Sequence, residues 1–467
     1  MRKKPDLVLQ DILIEAVAAE GNAIGHTADG EVLFVPLAVP GDVVDIRVRK
    51  RRKNYMEGTV EAIKKPSEQR REPFCRHFGV CGGCKWQILP YEMQLQAKQE
   101  QVYAQLVRIG HLEVPEIQPI IPSDRQREYR NKLDYTASSK RWLLEGENGE
   151  SLPPALLCGF GFHISNYFDK VLDLQECRLQ REPTNEIRLF IKKYALGHAI
   201  PFYDLRANKG VLRNLIVRNT EGGGLMIILC FGEDFPEKED MLSKIAERFP
   251  EITSFYYLIN KKLNDSIADQ TPILFKGEDA IWEHMEDLRF KIGPKSFFQT
   301  NTAQALKLYG VVRDFASLSG KETVYDLYTG TGTIALFLAR DAAKVLGIEY
   351  VPEAIEDAKI NASVNKIDNC EFFAGDMKDV LDSAFVQAHG KPDVIVLDPP
   401  RAGIHPDVAR VLLKTEAPLI VYVSCNPASQ ARDLAVLSEK YAIAAVQPVD
   451  MFPQTQHVEN VCKLVLK

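Results

Sequence analysis

Val421-Tyr-Val-Ser-Cys-Asn-Pro427 decides how the C-terminal part of this chain is read. The apolar run Leu419 to Val423 stops at Ser424-Cys425-Asn426-Pro427, and a helical pattern follows, with Ala428, Ala431, Leu434, Ala435 and Leu437 on one face. This is a strand feeding a turn and a helix. Asn426 suits the N-cap and Pro427 the first helical position. Cys425 therefore stands at the carboxyl end of a strand, beside a helix N-terminus. In an open α/β sheet that edge is where ligands bind, and a helix N-terminus favours thiolate over thiol. Cys425 is a candidate nucleophile; the alternative is a half-buried structural cysteine.

Upstream, the same strand–turn–helix grammar repeats from about residue 291. Thr323 to Tyr328 is a strand, Thr329-Gly-Thr-Gly-Thr333 a glycine-rich turn, and Ile334 to Arg340 begins a helix. Val345 to Glu349 and Val394 to Asp398 are further strands. The expected fold is a doubly wound, Rossmann-like α/β domain over 291–467. A glycine turn after the first strand and an acid after the second make a nucleoside site, with Glu349 accepting from the ribose hydroxyls. A dinucleotide fingerprint wants a third glycine, where Leu336 stands. S-adenosylmethionine has no phosphate and fits better than NAD. Asp398-Pro-Pro points the same way. Base-modifying methyltransferases that act on an exocyclic amine usually follow such a triplet with an aromatic residue; here Arg401 follows.

The chain has 467 residues, which suggests two to four domains, and its net charge of −6 confines any anionic partner to a local patch. With no apolar run of bilayer length and no signal-peptide core, a soluble cytoplasmic protein without membrane association is expected. No obligate protein partner is evident. Nine cysteines in such a chain do not suggest a disulfide framework.

At the front, Leu7 to Val17, Val32 to Val35, Val43 to Val48 and Gly58 to Ile63 read as strands of a small β-barrel over 1–68. Between the third and fourth, Arg47-Val-Arg-Lys-Arg-Arg-Lys53 reads as a basic loop that tracks a phosphate backbone or is simply solvated. This stretch resembles a TRAM domain, an RNA-binding barrel. Cys75, Cys81 and Cys84 then crowd together around Gly82-Gly83, with Cys177 as the best fourth ligand. Such crowding implies metal: an iron–sulfur cluster on four thiolates, or zinc with His77 as the fourth ligand. Residues 91–110 read as an amphipathic helix on Met93, Leu95, Ala97, Val102, Leu106 and Ile109. Arg125 to Lys132 is a second basic stretch, and the remainder of 69–290 reads as an α+β domain of hairpins.

The resemblance becomes specific over five motifs. Ser296-Phe-Phe-Gln-Thr-Asn301, Asp326-Leu-Tyr-Thr-Gly-Thr-Gly332, Asp398-Pro-Pro-Arg-Ala-Gly403, Tyr422-Val-Ser-Cys-Asn-Pro427 and Asp450-Met-Phe-Pro-Gln-Thr-Gln-His-Val-Glu459 resemble the RNA 5-methyluridine (uracil-5-) methyltransferase family. The barrel and the three-plus-one cysteines resemble its bacterial branch acting on 23S ribosomal RNA. That resemblance implies methyl transfer from S-adenosylmethionine to carbon 5 of a uridine, with Cys425 as nucleophile and Glu459 as base. It places Gln299, Tyr328, Glu349 and Asp398 around the methyl donor. It also implies a [4Fe-4S] cluster on Cys75, Cys81, Cys84 and Cys177, in place of the zinc alternative. Carbon 5 of uracil is a poor nucleophile until a thiolate adds to carbon 6, so this chemistry needs covalent catalysis.

Overall fold

The computed structural model describes residues 7–165 and 167–467. Five strands close the front barrel in the order β1-β2-β3-β5-β4: β1 (Val8–Val17), β2 (Ala23–His26), β3 (Val32–Val35), β4 (Val43–Arg51) and β5 (Tyr55–Lys65). Ile12, Ile14, Leu33, Val35, Val44, Ile46 and Met56 fill its interior, as the two-residue strand period requires. Two features differ from the sequence expectation. Ala23–His26 is a fifth strand, too short and glycine-broken to show a period. The basic stretch is not a loop between strands, because β4 runs on to Arg51 and forms a long hairpin with β5. On β4 the residues from Arg49 to Arg51 are all exposed, so no apolar alternation marks them. The cations there pair across the sheet: Arg47 with Glu61 at 2.5 Å, Lys50 with Glu57 at 3.4 Å and Arg51 with Glu31 at 2.8 Å.

The cysteine segment leads into α1 (Tyr91–Arg108). A seven-stranded mixed sheet follows, in the order β12-β11-β10-β9-β6-β7-β8. Its strands are β6 (Lys132–Ser138), β7 (Gly159–Ile164), β8 (Tyr167–Asp173), β9 (Leu212–Asn219), β10 (Leu225–Phe231), β11 (Ser254–Ile259) and β12 (Ile273–Gly277). The sheet carries α2 (Thr184–Gly197) and α3 (Lys238–Arg248). Most pairs are antiparallel, but β10 and β11 are parallel, linked by α3. A hairpin, β13 (Ile281–Met285) and β14 (Leu288–Ile292), packs with α4 (Thr302–Ala316) in the core of the C-terminal sheet.

That sheet has the order β17-β16-β15-β18-β19-β21-β20. In chain order its elements are β15 (Thr323–Leu327), α5 (Thr333–Ala339), β16 (Lys344–Glu349), α6 (Pro352–Val364), β17 (Cys370–Ala374), α7 (Met377–Val380), α8 (Ser383–His389), β18 (Val394–Leu397), α9 (Pro406–Thr415), β19 (Leu419–Ser424), α10 (Pro427–Leu437), β20 (Tyr441–Val449) and β21 (Glu459–Leu466). The first five strands are parallel, and β21 inserts antiparallel between β19 and β20. The strand order reverses between β15 and β18, which opens a crevice at their carboxyl ends.

Helix α1 packs on α10, with the expected Met93, Leu95, Ala97, Val102 and Leu106 packed inward and two polar residues, which no apolar pattern marks, buried among them. Gln94 and Lys98 are buried with Val102 and Leu106, whereas Ile109 is half exposed. Lys98 has no exposed side-chain surface; it donates to Asp450 at 2.5 Å, itself fully buried, and to the Phe452 carbonyl at 3.0 Å. Gln94 joins the same loop: its amide donates to Gln454 Oε1 at 3.0 Å, and its own oxygen accepts from the Gln454 N–H at 2.9 Å. Trp86 connects this assembly to the barrel through an indole N–H donated to the Gly21 carbonyl at 3.2 Å. Among the described residues, no helix is long and apolar enough to cross a membrane.

Candidate active site

A cleft of about 1610 Å³ opens over the carboxyl ends of β15, β16, β18 and β19. Gln299, Tyr328, Glu349, Asp398, Cys425 and Glu459 all line it. The chain therefore gathers into one cavity six residues that lie up to 160 positions apart (459 − 299).

One half of the cleft is built by the glycine turn. Tyr328 adopts φ +67°, and Gly330 and Gly332 follow at +55° and +78°. Left-handed backbone at a non-glycine residue is costly and concentrates at functional sites. A side chain on Gly332 would meet Ala358 Cβ at 3.0 Å and the Phe372 ring at 3.1 Å, so only glycine lets α5 start this close to its neighbours. The Glu349 carboxylate accepts from the Gly330 N–H at 3.2 Å and the Val351 N–H at 3.0 Å. These bonds hold it at the strand end, with lone pairs left for a diol. Gln299 sits just before α4. Its backbone carbonyl accepts from Asn131 at 2.9 Å, and Asn301 caps the helix while donating to the Met451 carbonyl at 2.9 Å. Asp376 caps α7 and also borders the cleft.

The other half centres on Cys425. Asn426 accepts from the Ala428 N–H at 3.2 Å, and Pro427 opens α10, as the sequence indicates. The loop after Asp398 is clamped to this helix. The Arg401 carbonyl accepts from Asn426 at 3.1 Å and Ser429 at 3.0 Å, Arg432 donates to the Ala402 carbonyl at 2.7 Å, and Asp433 accepts from the Ile404 N–H at 2.9 Å. At Gly403, φ is +84° and an added Cβ would lie 2.2 Å from Asp433. The clamp aims the Arg401 guanidinium at His457 Nδ1, 2.8 Å away. Arg401 can only donate, so His457 must be neutral there. Burial and the surrounding cations, Arg401 foremost, hold the imidazole down at about 4. The part played by Arg401 and His457 is invisible in the sequence, although both lie inside quoted motifs. Phe452, Thr455 and Phe297, which lie inside the quoted motifs, and Gly82-Gly83 also line the cleft.

Electrostatics correct one expectation. The Cys425 thiol is not lowered by its helix; burial, and then the Glu459 carboxyl, push it up to about 11, with Arg401 opposing. Glu459 is buried and raised well above the usual range by burial and by Asp398. Asp398 is pushed up to about 7 by burial, and so is Asp326 on the adjacent strand. One short helix cannot outweigh desolvation plus nearby carboxyl groups. Site-resolved alkylation of Cys425 by iodoacetamide should therefore keep rising up to about pH 11. Arg401→Met, which removes the opposing cation, moves that midpoint further up.

Asp398 also makes stability depend on pH. Its folded pKa lies above the unfolded value, so its contribution is full below about pH 4 and is lost as pH rises through about 7. Asp398→Asn should match the parent chain near pH 4 and melt roughly 3–8 °C higher at pH 8, as differential scanning calorimetry would read. Equal melting at both pH values would contradict the shift.

The four cysteines also come together. Cys75, Cys81 and Cys84 lie within electrostatic reach of one another, and Cys177 joins them; burial and this proximity push Cys84 and Cys177 up to about 12. The Gly83 N–H faces Cys81, the Leu179 N–H faces Cys177 and the Gln87 side chain faces Cys84. N–H donors aimed at sulfur suit thiolates bound to a cluster. Among the described residues, no three His, Cys, Asp or Glu side chains converge on a single-ion site. His77, the fourth ligand in the zinc alternative, accepts the Gln175 N–H on Nε2 at 2.9 Å, so that nitrogen is already engaged.

Comparison with known proteins agrees with this geometry. The family described as tRNA (uracil-5-)-methyltransferase matches residues 279–467, and the TRAM domain matches residues 9–60. An RNA methyltransferase of Bacteroides thetaiotaomicron is 53% identical over 455 residues, covering 97% of this chain and 100% of the relative. One from Porphyromonas gingivalis is 52% identical, covering 97% and 99% respectively. Among solved structures, the Pyrococcus abyssi tRNA (uracil-54, C5)-methyltransferase in complex with S-adenosyl-L-homocysteine is 27% identical. It covers 98% of this chain and 100% of that one, with a TM-score of 0.74. With these relatives matched end to end over a cleft of this construction, the chain belongs to the S-adenosylmethionine-dependent RNA (uracil-5-)-methyltransferases.

Proposed function

We propose that this enzyme methylates carbon 5 of a uridine in 23S ribosomal RNA through a transient bond between Cys425 and carbon 6. The observation that carries the mechanism is the convergence of Cys425, Glu459 and Asp398 in one cleft with Glu349 and Tyr328. S-adenosylmethionine, when bound, supplies an electrophilic methyl group. Glu349, fixed by two backbone N–H groups, accepts from the ribose hydroxyls, and Gln299, Tyr328 and Asp398 wall the donor. Cys425 Sγ, having given its proton to water in the open cleft, bonds to carbon 6, and the displaced ring electrons move onto carbon 5. Carbon 5 takes the methyl group as the donor's sulfur–carbon bond breaks. Glu459, a buried base with a raised pKa, removes the carbon 5 proton, and the Sγ–C6 bond breaks to restore the ring. Arg401 acts on both groups and favours both anions, Cys425 thiolate and Glu459 carboxylate.

Carbon 6 of a stacked uridine is shielded, so the target enters unpaired or flipped out. Cys75, Cys81, Cys84 and Cys177 would hold a [4Fe-4S] cluster in a structural role. Gly82 and Gly83, between its ligands, form part of the cleft wall.

A second substrate reading has its own observation. The Pyrococcus enzyme, which acts on transfer RNA, matches over 98% of this chain, barrel included. The front segment alone therefore does not separate ribosomal from transfer RNA. Mapping 5-methyluridine in both RNAs from a strain lacking the gene decides between them. Loss of one or more sites in 23S RNA alone is expected. Loss confined to transfer RNA would replace the ribosomal substrate.

A further inference from the structure

Behind the cysteine site lies a buried cation that the methyl-transfer mechanism does not use. Arg188, on α2, has no exposed surface. Its Nη1 donates to the carbonyls of Phe160 at 3.0 Å and Leu174 at 2.5 Å, while Nε and Nη2 are buried without any hydrogen-bond partner. The Tyr135 ring lies 5.3 Å from the guanidinium carbon, and its buried hydroxyl stands at the edge of hydrogen-bonding reach of Arg188 without forming a well-aligned bond. A buried guanidinium with two unmet donors is costly unless an anion answers it.

The surroundings point to where that anion lies. Leu174, which anchors Nη1, is three residues before Cys177. Asn185, one turn before Arg188 on the same helix, brackets Cys177 from both sides: it accepts the Cys177 N–H at 2.7 Å and donates to the Cys177 carbonyl at 3.2 Å. Arg188, one turn after the Asn185 that grips Cys177, lies within electrostatic reach of Asp173, Cys177 and His77. Glu176 and Asp173 lie nearby as well, but Asp173 is already paired with Lys192 at 2.6 Å and Glu176 with Arg178 at 3.0 Å.

We infer that Arg188, with the Tyr135 hydroxyl, is the counter-charge and hydrogen-bond donor for the anionic metal–thiolate group bound by Cys75, Cys81, Cys84 and Cys177. This inference rests on the cluster reading given above. Four thiolates around an iron–sulfur core leave the assembly net negative. A fixed cation behind Cys177 stabilises that charge, resists protonation of the sulfur and raises the reduction potential. Arg188 is a positioning residue here, since it acts through the ligand set and not on RNA.

The test uses the full chain, reconstituted anaerobically with iron and sulfide. Iron and sulfide content, the visible absorption band and its loss under a chelator are followed in the parent, Arg188→Lys, Arg188→Met and Tyr135→Phe. Arg188→Lys keeps the charge but loses the forked donors, and should lose its cluster about tenfold faster than the parent. Arg188→Met should lose it faster still, with a more negative midpoint potential. A purely structural role would lower the melting temperature of cluster-free and cluster-loaded protein alike. The inferred role destabilises chiefly the loaded form, because the cluster-free chain is relieved of an unanswered charge. Should Arg188→Met be insoluble, Arg188→Lys decides alone. Parent-like cluster loss and potential in the lysine variant overturn the role of Arg188. A parent protein that takes up no iron overturns the cluster reading itself.

Discussion

Replacing Cys425 with alanine should lower methyl transfer by roughly four to six orders of magnitude while leaving S-adenosylmethionine binding within about threefold of the parent. The half of the cleft proposed to hold the donor is built by Tyr328, Gly330, Gly332 and Glu349, none of which depends on the thiol. Cys425 is half-buried at the end of β19 and reaches the cleft from the opposite side. Loss of the sulfur therefore removes a step, not a binding site. An RNA carrying 5-fluorouridine at the target supplies the complementary test. Fluorine cannot leave as a cation, so after methyl transfer Glu459 has no proton to remove and the Sγ–C6 bond persists. Mass spectrometry should find that adduct on Cys425 and on no other cysteine. A Cys425→Ala enzyme retaining even a tenth of parental turnover would end the covalent mechanism.

The second large effect belongs to a residue outside the cleft. Lys98→Met leaves the Asp450 carboxylate buried with no cation, and removing one partner of such a pair costs about 3–5 kcal/mol. The pair also anchors the loop that carries Phe452, Thr455 and His457 into the cleft, since Lys98 donates to the Phe452 carbonyl at 3.0 Å. Turnover should fall together with stability. In the double variant Lys98→Met/Asp450→Leu no charge is left stranded, and more than half of the stability should return. Tyr91 donates to Asp450 at 2.7 Å in the parent, so its hydroxyl loses a partner in the double variant and full recovery is not expected. Thermal denaturation of the three proteins and the parent measures this. A single variant within about 1 kcal/mol of the parent would show that the pair contributes little.

These two residues illustrate how differently positions speak from a sequence. Cys425 is legible because its neighbours announce a strand end, a cap and a helix start within seven residues, and the strand, cap and helix are local properties. Glu349 is legible for the same reason, as the acid closing the second strand of the C-terminal sheet. Lys98 reads as a solvated helix position, since its partner lies 352 residues away and lysine is ordinarily exposed. The basic stretch from Arg47 misleads in the opposite direction. Its charge density suggests a free loop, yet the carboxylates that answer Arg47, Lys50 and Arg51 come from β5 and from Glu31, in register only after the barrel closes.

By itself the sequence determined the class of the C-terminal sheet, the glycine turn with its acid, the cysteine grouping and the barrel at the front. Each of these rests on periodicity, capping or spacing within a few residues, where propensity and sterics act directly. The tertiary structure alone decided the state of the groups so positioned. Cys425 sits at about 11 because the fold buries it near Glu459. His457 is neutral because the fold buries it and clamps Arg401 against it. Nε and Nη2 of Arg188 are left over because α2 buries that side chain beside the Cys177 segment. Desolvation and charge–charge interaction depend on distance in space, and separation along the chain says almost nothing about that distance until packing is complete.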